Sequence, residues 1–344
     1  MIVVTGGTGL VGSHLLYELT SKGNRIRALK RNSSDTNSVL QVFSYYSDKA
    51  EELFKLIEWI EGDILDLISL EDAFDGATKV YNLASLVSFN SSDKKKILNT
   101  NIYGTANVVN TCLSKNIQKL CHVSSISALG SSSDGLPVTE EAIWSPSKRR
   151  SYYSISKFHS EMEVWRGIEE GLHAVIVNPS VIIGPGFWNR GGSQLYKVIH
   201  SGLNYYPPGT TGYVDVRDVA RIMVRLMDSN ISGERFILNS ENCLYKSIFQ
   251  QIAKSLSVNE PKIEIKRRIA NWAWKLEWIR SLVLRKQPQI TRETIAIGFK
   301  QLLYSGDKIK QELNIAYITI EQSIKDTAKI FLKDQEREKR TNKN

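Results

Sequence analysis

Apolar residues recur along the first half of the chain in short runs, which are separated by longer segments of mixed polarity. Runs such as Ile2–Val4 and Val175–Val177 are continuous, which is typical of strands buried on both faces of a parallel sheet. The runs predict strands at Ile2–Thr5, Arg25–Leu29, Ile57–Ile60, Lys79–Leu83, Lys119–Ser124 and Ala174–Asn178. The intervening segments predict helices over about 12–22, 47–56, 70–74, 93–114 and 154–170. Because strands and helices of these lengths alternate, we expect an α/β fold with a doubly wound parallel sheet.

The regular alternation of predicted strands and helices ends after about residue 180. Loops rich in proline and glycine occur at Gly184–Gly186 and Pro207–Gly209, and mostly helical patterns follow them. We therefore expect a smaller, mostly helical C-terminal lobe that is built on the sheet. Residues 336–344 are almost all polar and predict a frayed tail.

Composition narrows the class of protein. The 344 residues carry a net charge of +9 and are 42% hydrophobic, which is ordinary for a globular protein. Cys112, Cys121 and Cys243 show neither a disulfide pattern nor a metal-ligand spacing, so we expect no metal site and a reducing, cytoplasmic location. No run of about 18 apolar residues occurs, so we expect no integral membrane association. Beyond its charge the chain has no nucleic-acid motif, and we expect no nucleic-acid partner.

A glycine-rich turn follows the first predicted strand and opens the first helix. Gly7, Gly9 and Gly12 fit the G-x-G-x-x-G dinucleotide fingerprint, and Gly6, Gly9 and Gly12 fit a related spacing. Glycine permits the tight turn, the close approach of backbone N–H groups to a pyrophosphate and the close packing of helix on sheet. The helix N-terminus adds a partial positive charge. The pattern predicts a nucleotide site formed by Gly6, Gly9, Leu10, Val11 and Gly12.

The end of the second strand bears on the choice of cofactor. NAD-binding sites usually place an acidic residue about 20 residues beyond the glycines, where it accepts from the ribose 2′-OH. This chain has Lys30 and Arg31 there, and no acid occurs until Asp35. Because a guanidinium matches the geometry of a phosphate, these bases favour NADP (NADPH) over NAD.

Tyr153 and Lys157 form a Y-x-x-x-K pair on one face of a predicted helix. A neighbouring ammonium stabilises a phenolate, so we expect Lys157 to lower the pKa of Tyr153 and make it a useful general acid or base. Ser124 and Ser125 lie at the carboxyl end of a predicted strand, where ligands bind in open α/β sheets. A serine at that point can donate a hydrogen bond to a substrate carbonyl or carbinol oxygen.

Together these residues resemble the extended short-chain dehydrogenase/reductase superfamily, in its NAD-dependent epimerase/dehydratase-like branch. The resemblance extends to about Leu332, and its motifs occur in the family order: Thr5–Gly12, Gly62–Ile64, Asn82–Ser85, Asn101–Thr105, the serine strand, Tyr153 with Lys157, Asn178–Pro185 and Tyr213–Ala220. The basic strand end is similar to that of the dihydroflavonol-reductase-like group, which uses NADPH. The pair Ala84-Ser85 departs from the family's usual Ala-Ala pair, in a segment that contributes mainly backbone.

The resemblance implies a role for each site residue. Ser125 would hold the substrate oxygen, Tyr153 would be the general acid/base, and Lys157 would hold the nicotinamide ribose and tune Tyr153. Tyr153 and Lys157 would thus also touch the cofactor. The other implied cofactor contacts, beside the glycine turn, are Lys30, Arg31, Asp63, Ile64, Leu83, Ala84, Ser85, Asn101, Ser124, Pro179 and Val181.

The resemblance also implies a domain organisation and partners. Residues 1–180 would form an NAD(P)-binding Rossmann domain, and residues 181–335 a substrate-binding lobe interleaved with its sheet. Family members often dimerise through the helices represented here by about 93–115 and 154–170, so a homodimer is expected.

Three functions are open at this point. The first is NADPH-dependent carbonyl reduction or alcohol oxidation, as in the dihydroflavonol-reductase-like and 3β-hydroxysteroid-dehydrogenase-like groups, with a small-molecule carbonyl or alcohol substrate. The second is a nucleotide-sugar epimerase or dehydratase with tightly bound NAD. The third is a cofactor-sensing binding protein without turnover. The basic end of the second strand favours the first over the second, and the intact serine, tyrosine and lysine argue against the third.

Two further features have open interpretations. Arg190 and Arg217 are the bases that could meet a substrate phosphate. Residues near 268–284 form a basic, amphipathic pattern containing Trp272, Trp274 and Trp278, which predicts core packing or a pocket wall and alternatively a contact with a membrane surface.

Overall fold

A parallel sheet organises the structure, a computed structural model that describes residues 1–88, 90–130, 135–147, 150–272, 274 and 292–341. Within these residues its strands are β1 (Ile2–Thr5), β2 (Ile26–Lys30), β3 (Ile57–Glu61), β4 (Lys79–Asn82), β5 (Lys119–Val123), β6 (Ala174–Pro179) and β10 (Glu234–Leu238). Their order is β10-β6-β5-β4-β1-β2-β3, with every neighbouring pair parallel. The chain turns from one half of the sheet to the other between β1 and β4, so a crevice opens at their carboxyl ends.

Helices cover both faces of this sheet. They are α1 (Leu10–Ser21), α2 (Asn37–Ser44), α3 (Ala50–Phe54), α4 (Leu67–Ala73), α5 (Lys94–Leu98), α6 (Gly104–Ser114), α7 (Tyr152–Glu169) and α9 (Val216–Asp228). One apolar core lies beneath α1, α2 and α9, and another beneath α4, α6 and α7. The central strands β1, β4, β5 and β6 are almost entirely buried, which explains their continuous apolar runs. The predicted doubly wound parallel sheet is confirmed.

The C-terminal part of the chain forms a second region. It contains β7 (Val181–Ile183), β9 (Thr210–Asp215) and β11 (Glu241–Leu244), and the short strands β8 (Tyr205–Tyr206) and β12 (Ile263–Glu264). Its helices are α8 (Gln194–His200), α10 (Tyr245–Ser255), α11 (Arg292–Gly298), α12 (Asp307–Leu313) and α13 (Ile320–Thr341). A separate apolar core joins α8, α10 and α13. Residues after 180 nevertheless return to the main sheet, because β10 pairs with β6 and α9 packs on α1.

The observed helices differ from the predicted ones in several places. The segment before 47 reads as polar, yet α2 forms there because Val39, Val42 and Phe43 are buried on one face and Asp35 accepts hydrogen bonds from the first turn. The long helix predicted over 93–114 is interrupted by a π-helical turn at Asn99–Tyr103. The helix α7 starts two residues earlier than predicted. The Ser151 hydroxyl caps it by accepting a hydrogen bond from Ser154 N at 2.9 Å.

Within the described part of the chain, no helix combines the length and the apolar character that a membrane span requires.

Candidate active site

The glycine turn between β1 and α1 is closed so tightly that side chains do not fit. Gly6 has φ +71°, and a Cβ on it would lie 2.6 Å from the backbone nitrogen of Ala84 in the loop after β4. A Cβ on Gly12 would overlap the carbonyl oxygen of Gly6. The Thr5 hydroxyl donates to Asn82 Oδ1 at 2.7 Å and accepts from Ala84 N at 3.3 Å, so it holds the ends of β1 and β4 together. The predicted turn therefore lies at the switch point of the sheet.

The turn has the features of a pyrophosphate cradle. Gly9 is the N-cap of α1 and no side chain caps that helix, so its first N–H groups face the crevice without a side-chain acceptor. Nearby, the buried hydroxyl of Ser85 has no hydrogen-bond partner in the structure. Leu83, Ala84 and Ser85 follow β4 directly and are half-buried. These residues fit a dinucleotide laid across the carboxyl ends of β1 and β4.

The ends of β2 and β3 border the same crevice. Lys30 ends β2, and the exposed Arg31 follows it. Asp35, the first acid after them, is already engaged by Asn37 N and the Ser38 hydroxyl at the start of α2. Beyond β3, Asp63 accepts from the backbone N–H of Leu65 at 3.0 Å, and the buried Ile64 packs against the position of Gly104.

Two residues predicted to touch the cofactor are engaged by protein groups. The buried amide of Asn101 donates to Leu86 O at 3.0 Å and to the Ser156 hydroxyl at 2.9 Å, and its oxygen accepts from Leu86 N at 2.7 Å. The buried Ser124 hydroxyl donates to a carboxylate oxygen of Glu161 at 2.8 Å. Asn101 thus anchors the loop after β4 to α7, and Ser124 anchors the end of β5. Their direct contact with a cofactor stays a prediction.

Ser125 and Tyr153 meet at the carboxyl end of β5. Ser125 starts a short 3₁₀ turn, Ile126–Ala128, and its hydroxyl oxygen accepts from Ser127 N at 3.1 Å. The side chain of Ser125 lies close enough to the Tyr153 hydroxyl to lower its pKa by hydrogen bonding. The Ser154 hydroxyl, on the next residue of α7, donates to Ser127 O at 2.7 Å. The first turn of α7 is thereby attached to the serine turn, and a phenol and a hydroxyl lie side by side.

Lys157 lies one helical turn beyond Tyr153 and is 2% exposed. Its ammonium donates to Val123 O at 2.7 Å. Burial lowers the pKa of Lys157 to about 8, while the Glu161 carboxylate acts in the opposite direction. The structure therefore brings the three predicted catalytic side chains to one strand end.

The expected effect of Lys157 on its neighbour is not the dominant one. Burial raises the pKa of Tyr153, because a phenolate loses its hydration there, and the Ser125 hydrogen bond only partly offsets this. The prediction that Lys157 lowers the pKa of Tyr153 was therefore wrong for the protein without a bound cofactor. A buried phenol that keeps its proton at neutral pH is suited to donating it.

Glu161 and Arg235 support this strand end, and neither was predicted from the sequence. Glu161 is 1% exposed, and its carboxylate accepts from Ser124, from Asn178 Nδ2 at 3.0 Å and from the Arg235 guanidinium at 3.0 Å. Glu161 follows Lys157 by four residues, so helical spacing was the available signal. Arg235 lies 74 residues further along the chain, and no local pattern connects the two.

The other candidate residues from the sequence differ in their surroundings. Pro179, which ends β6, is buried, and Val181 in β7 is half-buried. Arg217 forms ion pairs with Asp215 at 2.7 Å and with Asp326 at 2.9 Å, so its guanidinium is occupied within the protein and is not a ready phosphate ligand. Arg190 lies over the ring of Phe187 at 4.7 Å.

The basic, tryptophan-containing segment is only partly described. Residues 267–272 are helical, and Trp272 is 67% exposed at their end. Trp274 is half-buried, and Trp278 lies outside the described residues. No group of three or more His, Cys, Asp or Glu side chains suited to a metal ion occurs within the ranges that the structure describes.

Residues 2–238, which include the glycine turn and the tyrosine–lysine pair, match the family model described as the NAD dependent epimerase/dehydratase family. The chain belongs to this NAD-dependent epimerase/dehydratase family. Its members are NAD(P)-dependent enzymes that include reductases, epimerases and dehydratases.

Relatives within this family differ in their reactions. The chain is 28% identical over 271 residues to the sterol demethylase protein B of Methylococcus capsulatus, covering 78% of each chain. It is 27% identical over 337 residues to a putative dihydroflavonol 4-reductase of Synechocystis, covering 95% of this chain and 93% of the relative.

Solved structures agree on the architecture. The crystal structure of gox2253 superposes with a TM-score of 0.80 at 28% identity, over 97% of this chain and 98% of that one. The UDP-glucose 4-epimerase of Thermotoga maritima superposes with a TM-score of 0.76 at 20% identity, over 97% and 99% of the two chains. The second likeness concerns the fold alone.

Proposed function

We propose that this protein is an NADPH-dependent oxidoreductase that reduces a small-molecule carbonyl to an alcohol, or catalyses the reverse oxidation. The meeting of Ser125, Tyr153 and Lys157 at the carboxyl end of β5 supports the proposal most directly. The Ser154 hydroxyl attaches the first turn of α7 to Ser127 O at 2.7 Å, and Lys157 donates to Val123 O at 2.7 Å. This arrangement puts a proton donor next to a second hydroxyl at the strand end, where open α/β sheets bind their ligands.

The chemistry divides between the cofactor and the chain. NADPH, when bound, supplies the hydride that the carbonyl carbon receives. Ser125 holds the carbonyl oxygen, and Tyr153 transfers its proton to that oxygen as negative charge develops on it. The ammonium of Lys157 stabilises the phenolate that remains on Tyr153. In the oxidation direction the phenolate takes the proton of the alcohol.

The preference for NADPH rests on the end of β2. Lys30 and Arg31 offer positive charge beside the crevice, whereas Asp35, the first acid after them, is engaged in capping α2. A 2′-phosphate would be attracted by these bases, while a ribose 2′-OH lacks the usual carboxylate partner.

The names of the relatives guide the choice of substrate. The putative dihydroflavonol 4-reductase aligns over almost the whole chain, and the sterol demethylase protein B aligns over most of it. We therefore propose ring ketones of the dihydroflavonol and sterol classes as the first substrates to test.

Cofactor titration followed by a carbonyl screen tests the proposal. Tryptophan fluorescence would measure the affinity for NADPH and NADH, and NADPH oxidation at 340 nm would then be followed with the ring ketones and a broad carbonyl panel. We expect tighter binding of NADPH and its oxidation by at least one carbonyl. Purification with bound NAD⁺ and indifference to NADPH would instead favour an epimerase or dehydratase. Tight NADPH binding without any turnover would favour a cofactor sensor.

A further inference from the structure

A buried carboxylate lies directly behind the candidate catalytic residues. Glu161 is one turn beyond Lys157 on α7 and is 1% exposed. Its Oε2 atom accepts hydrogen bonds from the Ser124 hydroxyl at 2.8 Å and from Asn178 Nδ2 at 3.0 Å. Its Oε1 atom forms an ion pair with the Arg235 guanidinium at 3.0 Å. One side chain thus connects α7 with the ends of β5 and β6 and with β10.

Asn178 extends this connection to the backbone of Ser125. The same Nδ2 group that donates to Glu161 also donates to Ser125 O at 3.0 Å. The Ser124 hydroxyl, on the residue before Ser125, donates to Glu161 as well. Glu161 therefore restrains the chain on both sides of the Ser125 side chain, through one direct hydrogen bond and one that passes through Asn178.

Arg235 secures the carboxylate from the opposite side. Its Nε atom donates to Glu140 O at 2.7 Å, and the Glu140 carboxylate accepts from Ile237 N at 2.8 Å. The guanidinium is thus fixed between β10 and the segment before α7. Burying a carboxylate and a guanidinium is costly, and a pair of apolar side chains would often stabilise a core as well.

Glu161 also lies one helical turn from Lys157 on α7, and both side chains are buried. The ammonium of Lys157 donates to the carbonyl of Val123, and its charge acts on the imidazole of His122. Burial and the charge of Lys157 lower the pKa of His122, so this imidazole is neutral at physiological pH. The charge of the Glu161 carboxylate raises the pKa of Lys157 and so favours the ammonium against the larger, opposite effect of burial.

We propose that Glu161 is a positioning residue for carbonyl reduction: through Ser124 and Asn178 it fixes the orientation of the Ser125 hydroxyl, and through its charge it maintains Lys157 as an ammonium. The inference rests on the proposed function in that it assigns Glu161 to the same site. It goes beyond that function because it makes the Lys157–Glu161 pair and its anchor Arg235 a unit of the active site.

The decisive variant is Glu161→Gln, which removes the charge and keeps the size of the side chain. We expect kcat for carbonyl reduction to fall roughly tenfold to a hundredfold, since small errors in the placement of reacting groups have effects of that size. The Kd for NADPH should stay unchanged. The alkaline limb of the kcat/KM profile should move to lower pH, because Lys157 loses its proton more readily. Glu163→Gln, on the outer side of the same helix and paired with Arg166, is the matched control and should behave as wild type.

A direct titration of Lys157 separates this inference from the proposed function. Lysine-selective ¹³C NMR, with the Lys157 signal assigned from Lys157→Met, would measure the pKa of Lys157 with no substrate present. In Glu161→Gln we expect that pKa to be lower than in wild type by about one unit. Glu161→Asp keeps the charge and serves if Glu161→Gln does not fold, with a pKa of Lys157 closer to wild type and a lowered kcat.

The outcomes are distinct. An unchanged pKa of Lys157 and an unchanged kcat in Glu161→Gln would overturn the inference. A lowered thermal stability with an unchanged pKa of Lys157 would do the same, since a purely structural glutamate would behave in that way. If wild type reduces no carbonyl at all, the proposed function fails, and the NMR titration still decides whether Glu161 controls the protonation of Lys157.

Discussion

The ammonium of Lys157 donates a hydrogen bond of 2.7 Å to the carbonyl oxygen of Val123, the last residue of β5. This bond attaches the second turn of α7 to the strand end. Tyr153, one turn earlier, is thereby brought beside Ser125, two residues after Val123. The arrangement needs α7 to pack against β5, and Val164 of α7 and Leu120 of β5 belong to the same buried apolar core.

Removing one oxygen atom from Tyr153 tests its role as proton donor. We expect Tyr153→Phe to lower kcat for carbonyl reduction by about 10²- to 10⁴-fold, the usual contribution of a general acid. The affinity for NADPH, measured by tryptophan fluorescence, should change little, because the ring still fills its place. Tyr152→Phe is the matched control: the adjacent ring contacts Lys94 and should tolerate the change. A Tyr153→Phe enzyme with nearly wild-type turnover would rule out the assignment.

The choice between the two cofactors is expected to depend on Arg31. We expect Arg31→Ala to weaken NADPH binding roughly tenfold to a hundredfold, the size of a lost hydrogen bond to a charged group, and to leave NADH binding nearly unchanged. Arg25→Ala makes the same change of charge at the opposite end of the second strand and should alter neither affinity. Equal losses for NADPH and NADH in Arg31→Ala would contradict a 2′-phosphate contact.

Two glycines of the turn should respond differently to an added methyl group. A Cβ on Gly12 would overlap Gly6 O, so Gly12→Ala should lower the free energy of unfolding by about 1–3 kcal/mol. A Cβ on Gly9 would lie 3.4 Å from the same oxygen, an ordinary contact, so Gly9→Ala should cost less than about 1 kcal/mol. Because Gly9 begins α1 beside the proposed pyrophosphate site, Gly9→Ala should nevertheless weaken NADPH binding by roughly tenfold, about 1.4 kcal/mol.

Urea unfolding and cofactor titration of both variants would check this contrast. An unaltered affinity for NADPH in a stably folded Gly9→Ala protein would contradict the proposal that the pyrophosphate binds at this turn.

His14 should make the protein sensitive to acid. Its Nδ1 atom is 2.8 Å from Leu10 O and its Nε2 atom 3.0 Å from the Tyr46 hydroxyl, and burial lowers the pKa of His14 from 6.5 to about 4. Below pH 6.5 the unfolded chain therefore binds a proton that the folded protein does not. Stability is complete above that pH and is lost as the pH falls toward 4, by roughly 3 kcal/mol.

His14→Asn keeps a donor for Leu10 O and does not titrate. The free energy of unfolding of wild type should therefore fall relative to this variant between about pH 7 and pH 4. His173 is exposed, so the free energy of unfolding of His173→Asn should vary with pH as that of wild type does. Parallel pH profiles for wild type and His14→Asn would contradict the buried neutral imidazole.

Much of the fold was predictable because its signals are local. Buried parallel strands require continuous apolar runs, so Ile2–Thr5 was predicted with the bounds that the structure has. The helix α2 was missed, although Val39, Val42 and Phe43 carry a helical spacing, because polar residues before them suggested a loop. The π-helical turn at Asn99–Tyr103 has no pattern of its own, and it coincides with the side-chain contacts of Asn101.

The sequence by itself determined the sheet architecture, the glycine turn and the pairing of Tyr153 with Lys157, since each depends on neighbours within a few residues of chain. Only the tertiary structure decided that burial, more than the lysine, controls the pKa of Tyr153, and that Arg217 is bound to Asp215 and Asp326. It also decided that Glu161 meets Arg235 behind the site. Desolvation and long-range ion pairs depend on what surrounds a group in space, and residues that are far apart in the chain supply those surroundings.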